Sequence, residues 1–359
     1  MTRDPVAWYA LGMETAFRWY GPHDRVPLAW LRQMTPTPRV VTHLDQFAPG
    51  ETWHMDAIRA LRAQLDSHKL RIGPFESVFW SADMKTGGAE REAHIAQTIQ
   101  TFKNLRAVWP EEPELIVTYH LMALDWSRTD LAWVHPNGAR GVAFDNAAWE
   151  SLDISKGLYL PGWGKCYSAA ECAHLKEIYS DKDAVWRNIR YVLQALVPVC
   201  EELNIRLAVH PNDPPWSILG VPAMLCSAED IQMMLSLVPS RANGLCFCTG
   251  SYGALPENDL LAMIELFAPH IAWCHLRVTK TTGYRSFHEA DHADPSADWD
   301  ILVIMKALIR AGFDGIFRSD HGLDILYETD AGTRGYPAID RYVANKLLWG
   351  YHRALTNPL

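Results

Sequence analysis

The chain has 359 residues, of which 48% are hydrophobic and 21% are charged, and its formal net charge at pH 7 is −9. These proportions are typical of a globular protein with a sizeable core. The acidic balance and the lack of a basic stripe argue against a nucleic-acid partner, because phosphate binding needs clustered lysine and arginine. No apolar run reaches the length of a membrane span, and Met1–Tyr9 lacks the pattern of a signal peptide. Seven scattered cysteines predict a reduced, cytoplasmic protein rather than a disulfide framework.

Short apolar runs of β type alternate with helical patterns, which favours a parallel sheet with helical crossovers. Eight runs predict strands: Thr15–Tyr20, Arg39–Leu44, Leu70–Val78, Leu115–Met122, Arg206–His210, Gly244–Cys248, Ile271–Leu276 and Gly315–Asp320. This order predicts an α/β protein with a single (β/α)₈ TIM barrel domain over residues 1–359. A doubly wound open sheet has the same pattern, because one sequence does not reveal whether a sheet closes.

Helical patterns are clearest in the second half of the chain. Helices are predicted over Asp183–Leu203 with a kink at Pro198, after a capping sequence at Ser227–Asp230, over Asp259–Ala268, and over Asp298–Ala311 before Gly312. The segment 133–180 has few strand signals and many glycine, tryptophan and tyrosine residues. We therefore expect it to form an excursion between the fourth and fifth strands.

The last four predicted strands each deliver a side chain that can bind a metal. They end at or beside His210, Cys248, His275 and Asp320. Barrel enzymes place their chemistry at the carboxyl ends of strands, where neighbouring ends converge. The sequence therefore predicts that these four groups share one ion, with bonds of about 2.0–2.3 Å.

Each of these residues also has a purely structural interpretation. A lone buried cysteine is usually a small core hydrophobe, a histidine beside proline is often a turn residue, and an aspartate after serine often caps a helix. The set of four at spacings of about one βα unit favours the metal site. A mixed set of two imidazoles, a thiolate and a carboxylate suits Zn²⁺, Fe²⁺, Co²⁺ or Mn²⁺.

At these residues the chain resembles the mannonate dehydratase family, and the likeness runs nearly end to end. The matching segments are Thr15–Pro22, Gly50–Trp53, Phe75–Val78, Leu124–Asp130, His210–Pro215, Asn243–Ser251, His275–Arg277, Ser286–Ala290, Phe317–Gly322 and Gly335–Tyr336. So many separate matches in the same order are specific to the family and less specific to its substrate.

The resemblance implies a xylose-isomerase-like barrel with Mn²⁺ or Fe²⁺ held by the four proposed ligands. It implies that water is removed from D-mannonate to give 2-keto-3-deoxy-D-gluconate. Arg318, His321 and Tyr336 are then expected to act in catalysis. We further expect the substrate, a small sugar acid, to contact Arg18, Tyr20 and His288, and the chain to form a homo-oligomer without nucleic-acid or membrane partners.

These catalytic residues suit the expected chemistry. The proton beside the carboxylate is weakly acidic, so a cation and the fixed charge of Arg318 would stabilise the enediolate as it forms. His321 titrates near neutrality when unperturbed, and Tyr336 can exchange a proton if its pKa is lowered. The sequence does not distinguish which of the two is the base. Arg318 as a structural ion-pair partner and Tyr336 as a core residue remain open.

Three positions depart from the family's usual residues. Val278 stands where asparagine is usual, Trp216 where arginine is common, and Ser319 in place of proline. A few polar contacts decide specificity, so these departures leave open the dehydration of another aldonate. Isomerisation or epimerisation on the same metal barrel is a second possibility, and a non-catalytic sugar-acid sensor is a third.

Overall fold

A computed structural model describes residues 12–160, 165–328 and 337–356 of the chain. Its strands are β1 (Glu14–Arg18), β2 (Arg39–Thr42), β3 (Ile72–Glu76), β4 (Leu115–His120), β5 (Asp130–Val134), β6 (Arg140–Phe144), β7 (Leu158–Leu160), β8 (Lys165–Tyr167), β9 (Ile205–His210), β10 (Asn243–Cys248), β11 (Ile271–His275), β12 (Thr279–Gly283), β13 (Ser286–Glu289) and β14 (Ile316–Arg318). Its helices are α1 (Leu28–Gln33), α2 (Met55–Ser67), α3 (Ala82–Thr86), α4 (Arg91–Val108), α5 (Asn146–Glu150), α6 (Ala169–Ser180), α7 (Lys182–Glu202), α8 (Ala228–Leu237), α9 (Thr249–Gly253), α10 (Leu260–Phe267), α11 (Ile301–Arg310) and α12 (Ala338–Thr356).

Eight parallel strands close into a barrel in the spatial order β1-β14-β11-β10-β9-β4-β3-β2. Each predicted strand overlaps one barrel strand, so the prediction of a (β/α)₈ barrel is confirmed and the open sheet is excluded. The barrel strands are almost entirely buried, as expected of parallel strands covered by helices. This double burial is why their apolar runs were visible in the sequence.

A second sheet is antiparallel and has the order β12-β13-β6-β5. Its hairpins leave the barrel after β4 and after β11, so the sheet is built from connections at the carboxyl ends of the strands. The segment 133–180 contributes to this sheet and contains α5, the small β7-β8 pair and α6. Sequence patterns did not predict these short strands, because β5 is largely exposed or half-buried and has no alternation of polar and apolar residues.

Local signals explain where the late helices begin and end. The Ser227 side chain accepts a hydrogen bond from the Asp230 amide and caps α8. The Asp230 carboxylate accepts a hydrogen bond of 2.9 Å from the Cys226 amide. In a capping box this carboxylate would accept from the Ser227 amide, so the bond is displaced by one residue toward the N-terminus. Gly312 follows α11 with φ of +81°, a left-handed conformation that glycine adopts without strain.

The register between neighbouring barrel strands places the carboxyl ends of β10, β11 and β14 side by side. A cluster of strand residues, Ala16, Val41, Ile116, Ala208, Cys246, Ala272 and Trp273, is separate from the larger core between strands and helices. The Trp273 indole donates a hydrogen bond of 3.0 Å to Thr118 Oγ1. Cys248 lies opposite His275 in the register, and His275 lies opposite Arg318.

In the described residues, no helix has both the length and the apolarity needed to cross a bilayer.

Candidate active site

The structure brings the four predicted metal ligands together. One ligand atom each from His210, Cys248, His275 and Asp320 lies within 4.8 Å of every other. Three of these residues end the strands β9, β10 and β11, and Asp320 follows β14 by two residues. Because these four strands are consecutive around the barrel, their ends converge on one side of its mouth.

Hydrogen bonds orient the two imidazoles toward this cluster. The His210 Nδ1 lies 2.8 Å from the carbonyl oxygen of Pro211, which fixes the proton on Nδ1 and leaves Nε2 as the ligand atom. The His275 Nε2 lies 3.1 Å from Glu76 Oε1, and its Nδ1 lies 3.4 Å from Asp320 Oδ2. The carboxylate of Glu76 thus accepts from one nitrogen while the other faces the cluster.

The sulfur of Cys248 is fully buried and lies 3.7 Å from Asp320 Oδ2. Burial raises the pKa of this thiol, but hydrogen bonds with His210 and His275 outweigh burial and lower the pKa to about 6. Burial also disfavours the charged form of Asp320, yet the charges of Arg318 and His275 hold the pKa of this carboxyl well below its usual range. The cluster therefore offers a thiolate and a carboxylate at neutral pH.

The donor set fits a divalent cation. Among the described residues, the buried Nδ1 of His275 makes no well-aligned hydrogen bond and lies 3.4 Å from Asp320 Oδ2, and an unsatisfied buried nitrogen is costly unless it binds something. A thiolate and a carboxylate would balance a charge of +2, and together with two imidazoles they would suit a first-row divalent metal, which would supply Lewis acidity there.

Glu76, which ends β3, and Arg318, which ends β14, contact two of the proposed ligands, His275 and Asp320. The Arg318 Nη2 lies 2.8 Å from Glu76 Oε1 and 2.9 Å from Asp320 Oδ1. Burial raises the pKa of Glu76, but the charges of Arg318 and His275 reverse this and hold the pKa well below its usual range. The arginine is thus a fixed positive charge beside the metal ligands.

A cavity of about 710 Å³ opens beside these residues. Arg18, Tyr20, Arg318 and His321, which the sequence predicted as substrate-binding or catalytic, line it together with three of the proposed metal ligands, His210, His275 and Asp320. This volume is in the range of small-molecule sites, roughly 300–1,000 Å³. The structure therefore places most of the predicted site residues around one space.

His321 is held by aromatic stacking. Its ring lies parallel to the Trp126 indole, with a centroid distance of 5.1 Å and an interplanar angle of 3°. The Arg128 guanidinium lies over the same indole at 4.6 Å. Burial lowers the pKa of His321 to about 4, although Asp320 and Glu289 act in the opposite direction. The imidazole is therefore neutral at pH 7 and able to accept a proton.

Arg18, which ends β1, and His43, which follows β2, form a hydrogen-bonded pair. The Arg18 Nη2 lies 2.5 Å from His43 Nδ1. Burial, with a further contribution from Arg18, lowers the pKa of His43 to about 3. The ring is therefore neutral with Nδ1 as acceptor, which places its proton on Nε2 as a potential donor.

Other sequence predictions lie away from this cavity. His288 does not line it and instead stacks on Trp133, with a centroid distance of 4.1 Å. The departures at Trp216, Val278 and Ser319 are buried and do not line the cavity either. Tyr336 lies outside the described residues.

Several cavity residues were missed by the sequence analysis. His43 follows β2, Glu76 ends β3, His120 ends β4, and Asp213 lies beyond β9. The first three obey the same rule that predicted the metal ligands, namely that polar side chains at the carboxyl ends of barrel strands form the site. Applying that rule to the first four strands as well as the last four would have found them.

Comparison with known proteins agrees with this geometry. The family model described as D-mannonate dehydratase (UxuA) matches residues 13–358. A mannonate dehydratase of Oceanobacillus iheyensis is 34% identical over 333 residues, covering 92% of this chain and 94% of the relative. One of Enterococcus faecalis is 35% identical over 357 residues, covering 95% and 98%.

One solved structure supports the same assignment, and a second shares the fold. The crystal structure of mannonate dehydratase from Streptococcus suis serotype 2 has a TM-score of 0.86 at 29% identity and covers 96% of this chain and 95% of its own. A xylose isomerase domain protein from Planctomyces limnophilus has a TM-score of 0.53 at 10% identity, covers 97% of this chain and 100% of its own, and shares the fold alone. The chain belongs to the D-mannonate dehydratase family.

Proposed function

We propose that the chain converts D-mannonate into 2-keto-3-deoxy-D-gluconate and water. The observation that carries this proposal is the convergence of the four ligand atoms within 4.8 Å beside a cavity that Arg318 and His321 also line. Family membership supplies the substrate class. The proton leaves the carbon beside the carboxylate, and hydroxide leaves the next carbon, so atoms balance as one water.

We assign the cation to His210, Cys248, His275 and Asp320, and propose Mn²⁺ or Fe²⁺ as the native ion. A divalent metal supplies Lewis acidity when bound there. Arg318 binds the developing negative charge of the substrate, because Glu76 and Asp320 hold its guanidinium in place before the reaction begins.

His321 accepts or returns a proton in this proposal. Its neutral ring lines the cavity, and its stacking on Trp126 fixes the plane in which the nitrogen can approach the substrate. Tyr336 is proposed as its partner in proton transfer, on the family resemblance. Arg18 and Tyr20 are proposed to bind the substrate, and both line the same cavity. His288 stays a resemblance-based proposal for a role near the substrate.

Turnover on a substrate panel tests the function. Purified protein loaded with Mn²⁺ is incubated with hexonates and pentonates, and 2-keto-3-deoxy acids are measured. We expect D-mannonate to be dehydrated fastest. A product that has kept all its oxygen would instead indicate an isomerase or epimerase, and binding without turnover of any acid would indicate a sensor. Parallel loading with Fe²⁺, Zn²⁺ and Co²⁺ tests the ion.

Metal analysis of variants tests the assigned roles. Cys248→Ala and His275→Ala are expected to lose metal and activity together, because each removes a ligand. Tyr336→Phe is expected to keep the metal and lose turnover. A metal-free Tyr336→Phe protein would contradict the assignment of this tyrosine to proton transfer.

We further propose a single-domain, cytoplasmic, homo-oligomeric protein. All seven cysteines are free thiols, which supports a reducing compartment.

An exposed apolar patch supports the proposed assembly. It consists of the adjacent residues Ile325, Leu326 and Tyr327, which are 52%, 61% and 46% exposed. Apolar patches of this kind commonly mark interfaces. Light scattering after size-exclusion chromatography would measure the molar mass of the protein in solution. A monomeric mass at all protein concentrations would refute the proposed homo-oligomer.

A further inference from the structure

Two hydrogen bonds reach the sulfur of Cys248 from within its own chain segment. Ser251 directs its amide at 3.4 Å and its hydroxyl at 3.2 Å toward Cys248 Sγ. Cys248 precedes the short helix α9, and both residues are fully buried. The other three proposed ligands come from other strands. Ser251 is therefore the local contact that orients this thiol.

Arg277 holds Ser251 from the neighbouring strand end. Its Nη1 lies 3.4 Å from Ser251 Oγ. Its side chain crosses directly over Gly250, where an added Cβ would lie 2.3 Å from Arg277 Cδ. The Arg277 amide donates to Thr249 Oγ1 at 2.9 Å, and that hydroxyl donates to the Arg277 carbonyl at 2.6 Å. Hydrogen bonds thus hold the segment 249–251 against Arg277, which follows β11.

A buried network of four charges fixes Arg277 in turn. Its Nη1 lies 2.7 Å from Asp213 Oδ2, and its Nη2 lies 2.6 Å from Glu289 Oε1. Arg128 bonds the same two carboxylates at 2.9 Å and 3.3 Å. Two cations and two anions balance, which is the condition under which buried charges are tolerated. Since Glu289 lies on β13, the network joins the antiparallel sheet to the segment that carries Cys248.

We propose that Ser251 is a positioning residue for metal binding, which orients the Cys248 sulfur toward the cation and is itself held by Arg277. The inference rests on the proposed metal site and goes beyond it by assigning a role outside the ligand set. Contacts that orient metal ligands commonly account for about ten- to a hundredfold in affinity. A hydrogen bond to a thiolate also stabilises the sulfur lone pairs, and its loss raises their energy.

Cobalt binding to the metal-free protein tests this role. Titration with Co²⁺ gives an affinity and a sulfur-to-cobalt charge-transfer band. For Ser251→Ala we expect the affinity to fall about ten- to a hundredfold and the band to move to longer wavelength. Ser251→Thr, which keeps a hydroxyl, should restore both toward the parent. Ser236→Ala is the matched control, since Ser236 is exposed and its hydroxyl, among the residues that the structure describes, donates to the Met233 carbonyl.

The outcomes separate this inference from the proposed function. If the parent protein neither binds Co²⁺ nor dehydrates any sugar acid, the proposed function fails. If the parent does both and Ser251→Ala keeps the parent's affinity and band, the inference is overturned. Should Ser251→Ala fail to fold by circular dichroism, Arg277→Lys decides, because it keeps the charge but loses the paired bonds to Glu289. We expect Arg277→Lys to bind Co²⁺ more weakly than the parent, by a smaller factor than Ser251→Ala. An affinity equal to that of the parent would overturn the inference.

Discussion

Glu76 is a carboxylate shared by two functional side chains. Its Oε1 lies 3.1 Å from the His275 Nε2 and 2.8 Å from the Arg318 Nη2. The first contact fixes the tautomer in which Nδ1 of His275 faces the metal ligands. The second contact fixes the guanidinium. Losing the negative charge of Glu76 should therefore weaken metal binding and catalysis at once.

Glu76→Gln tests this coupling. The amide keeps the size of the side chain but removes its charge, so we expect metal affinity to fall about tenfold or more and kcat to fall further. Isothermal titration with Mn²⁺ and steady-state kinetics at saturating metal separate the two effects. Glu92→Gln, at an exposed residue of α4, serves as control. Unchanged affinity and kcat in Glu76→Gln would show that the carboxylate has no such role.

Individual site residues were predictable where a strand signal and a reactive side chain coincided. His210, Cys248, His275 and Asp320 each end or closely follow a buried strand. Ser251 had no such signal, because its role depends on the turn after β10 and on Arg277, 26 residues later. Likewise, the stacking of Trp126 on His321 joins residues far apart in the chain, and no local pattern encodes that contact.

Among the elements, the parallel strands were predictable and the antiparallel sheet was not. A barrel strand is buried on both faces, so its apolar run appears in the sequence. The strands β5 and β12 contain exposed or half-buried positions, and their hairpins are joined only by the pairing of β6 with β13, in which His288 lies opposite Ala143. Their formation depends on the barrel bringing two distant connections together, and propensity alone does not show this.

The contact between α12 and the segment after β14 gives a prediction for Gly322→Ala. The Asp340 Oδ1 accepts a hydrogen bond of 3.0 Å from the Leu323 amide, and a Cβ at Gly322 would lie 1.9 Å from Asp340 Oδ2. We expect a loss of about 1–3 kcal/mol in the free energy of unfolding. A fall in kcat should accompany it, because Gly322 follows His321. Urea unfolding and steady-state kinetics measure both.

Gly350 provides the control in the same helix. It lies within α12, and in the described part of the chain no atom outside its own helix backbone and chain neighbours stands within 4 Å of the position of its Cβ. Gly350→Ala should therefore stabilise the protein by up to about 1 kcal/mol through helix propensity. Equal stabilities of the two alanine variants would contradict the close packing of Gly322 against Asp340.

For the whole molecule, Asp340 predicts a dependence of stability on pH. Burial is the main cause that raises the pKa of this carboxyl to about 7, from an ordinary value of 3.8. The folded state therefore binds this proton more tightly than the unfolded state. The contribution is fully present below pH 3.8 and is lost as pH rises through 7.

Asp340→Asn isolates this effect. The amide oxygen can still accept from Leu323, and no charge develops on it. Relative to the parent, the variant should gain stability as pH rises from about 4 to about 8, with an upper bound of about 4 kcal/mol. Urea unfolding at a series of pH values provides the measurement. A constant difference across that range would contradict the raised pKa.

Metal removal should lower the stability of the whole barrel. The proposed ligands lie at the ends of four strands, so a bound cation would favour the folded state, and the unfolded chain has no preformed site. At a free Mn²⁺ concentration of about a hundred times Kd, the gain is about 2.7 kcal/mol. We expect a higher thermal midpoint with Mn²⁺ than with chelator. Cys248→Ala should lose this difference, and an equal response in that variant would place the stabilising ion elsewhere.

The order of strands around the barrel divides its mouth into two arcs. The proposed ligands lie on β9, β10, β11 and just after β14, whereas Arg18, His43 and His120 lie at the ends of β1, β2 and β4. The C-terminal strands thus contribute all four proposed ligands together with Arg318 and His321, whereas Arg18, His43 and His120 line the cavity from the N-terminal strands. Substitutions at these three N-terminal residues are therefore expected to change which acid binds while leaving the four ligand positions intact. Glu76 is the exception among the N-terminal strand ends, because its carboxylate contacts His275 directly and its loss should affect the ion as well.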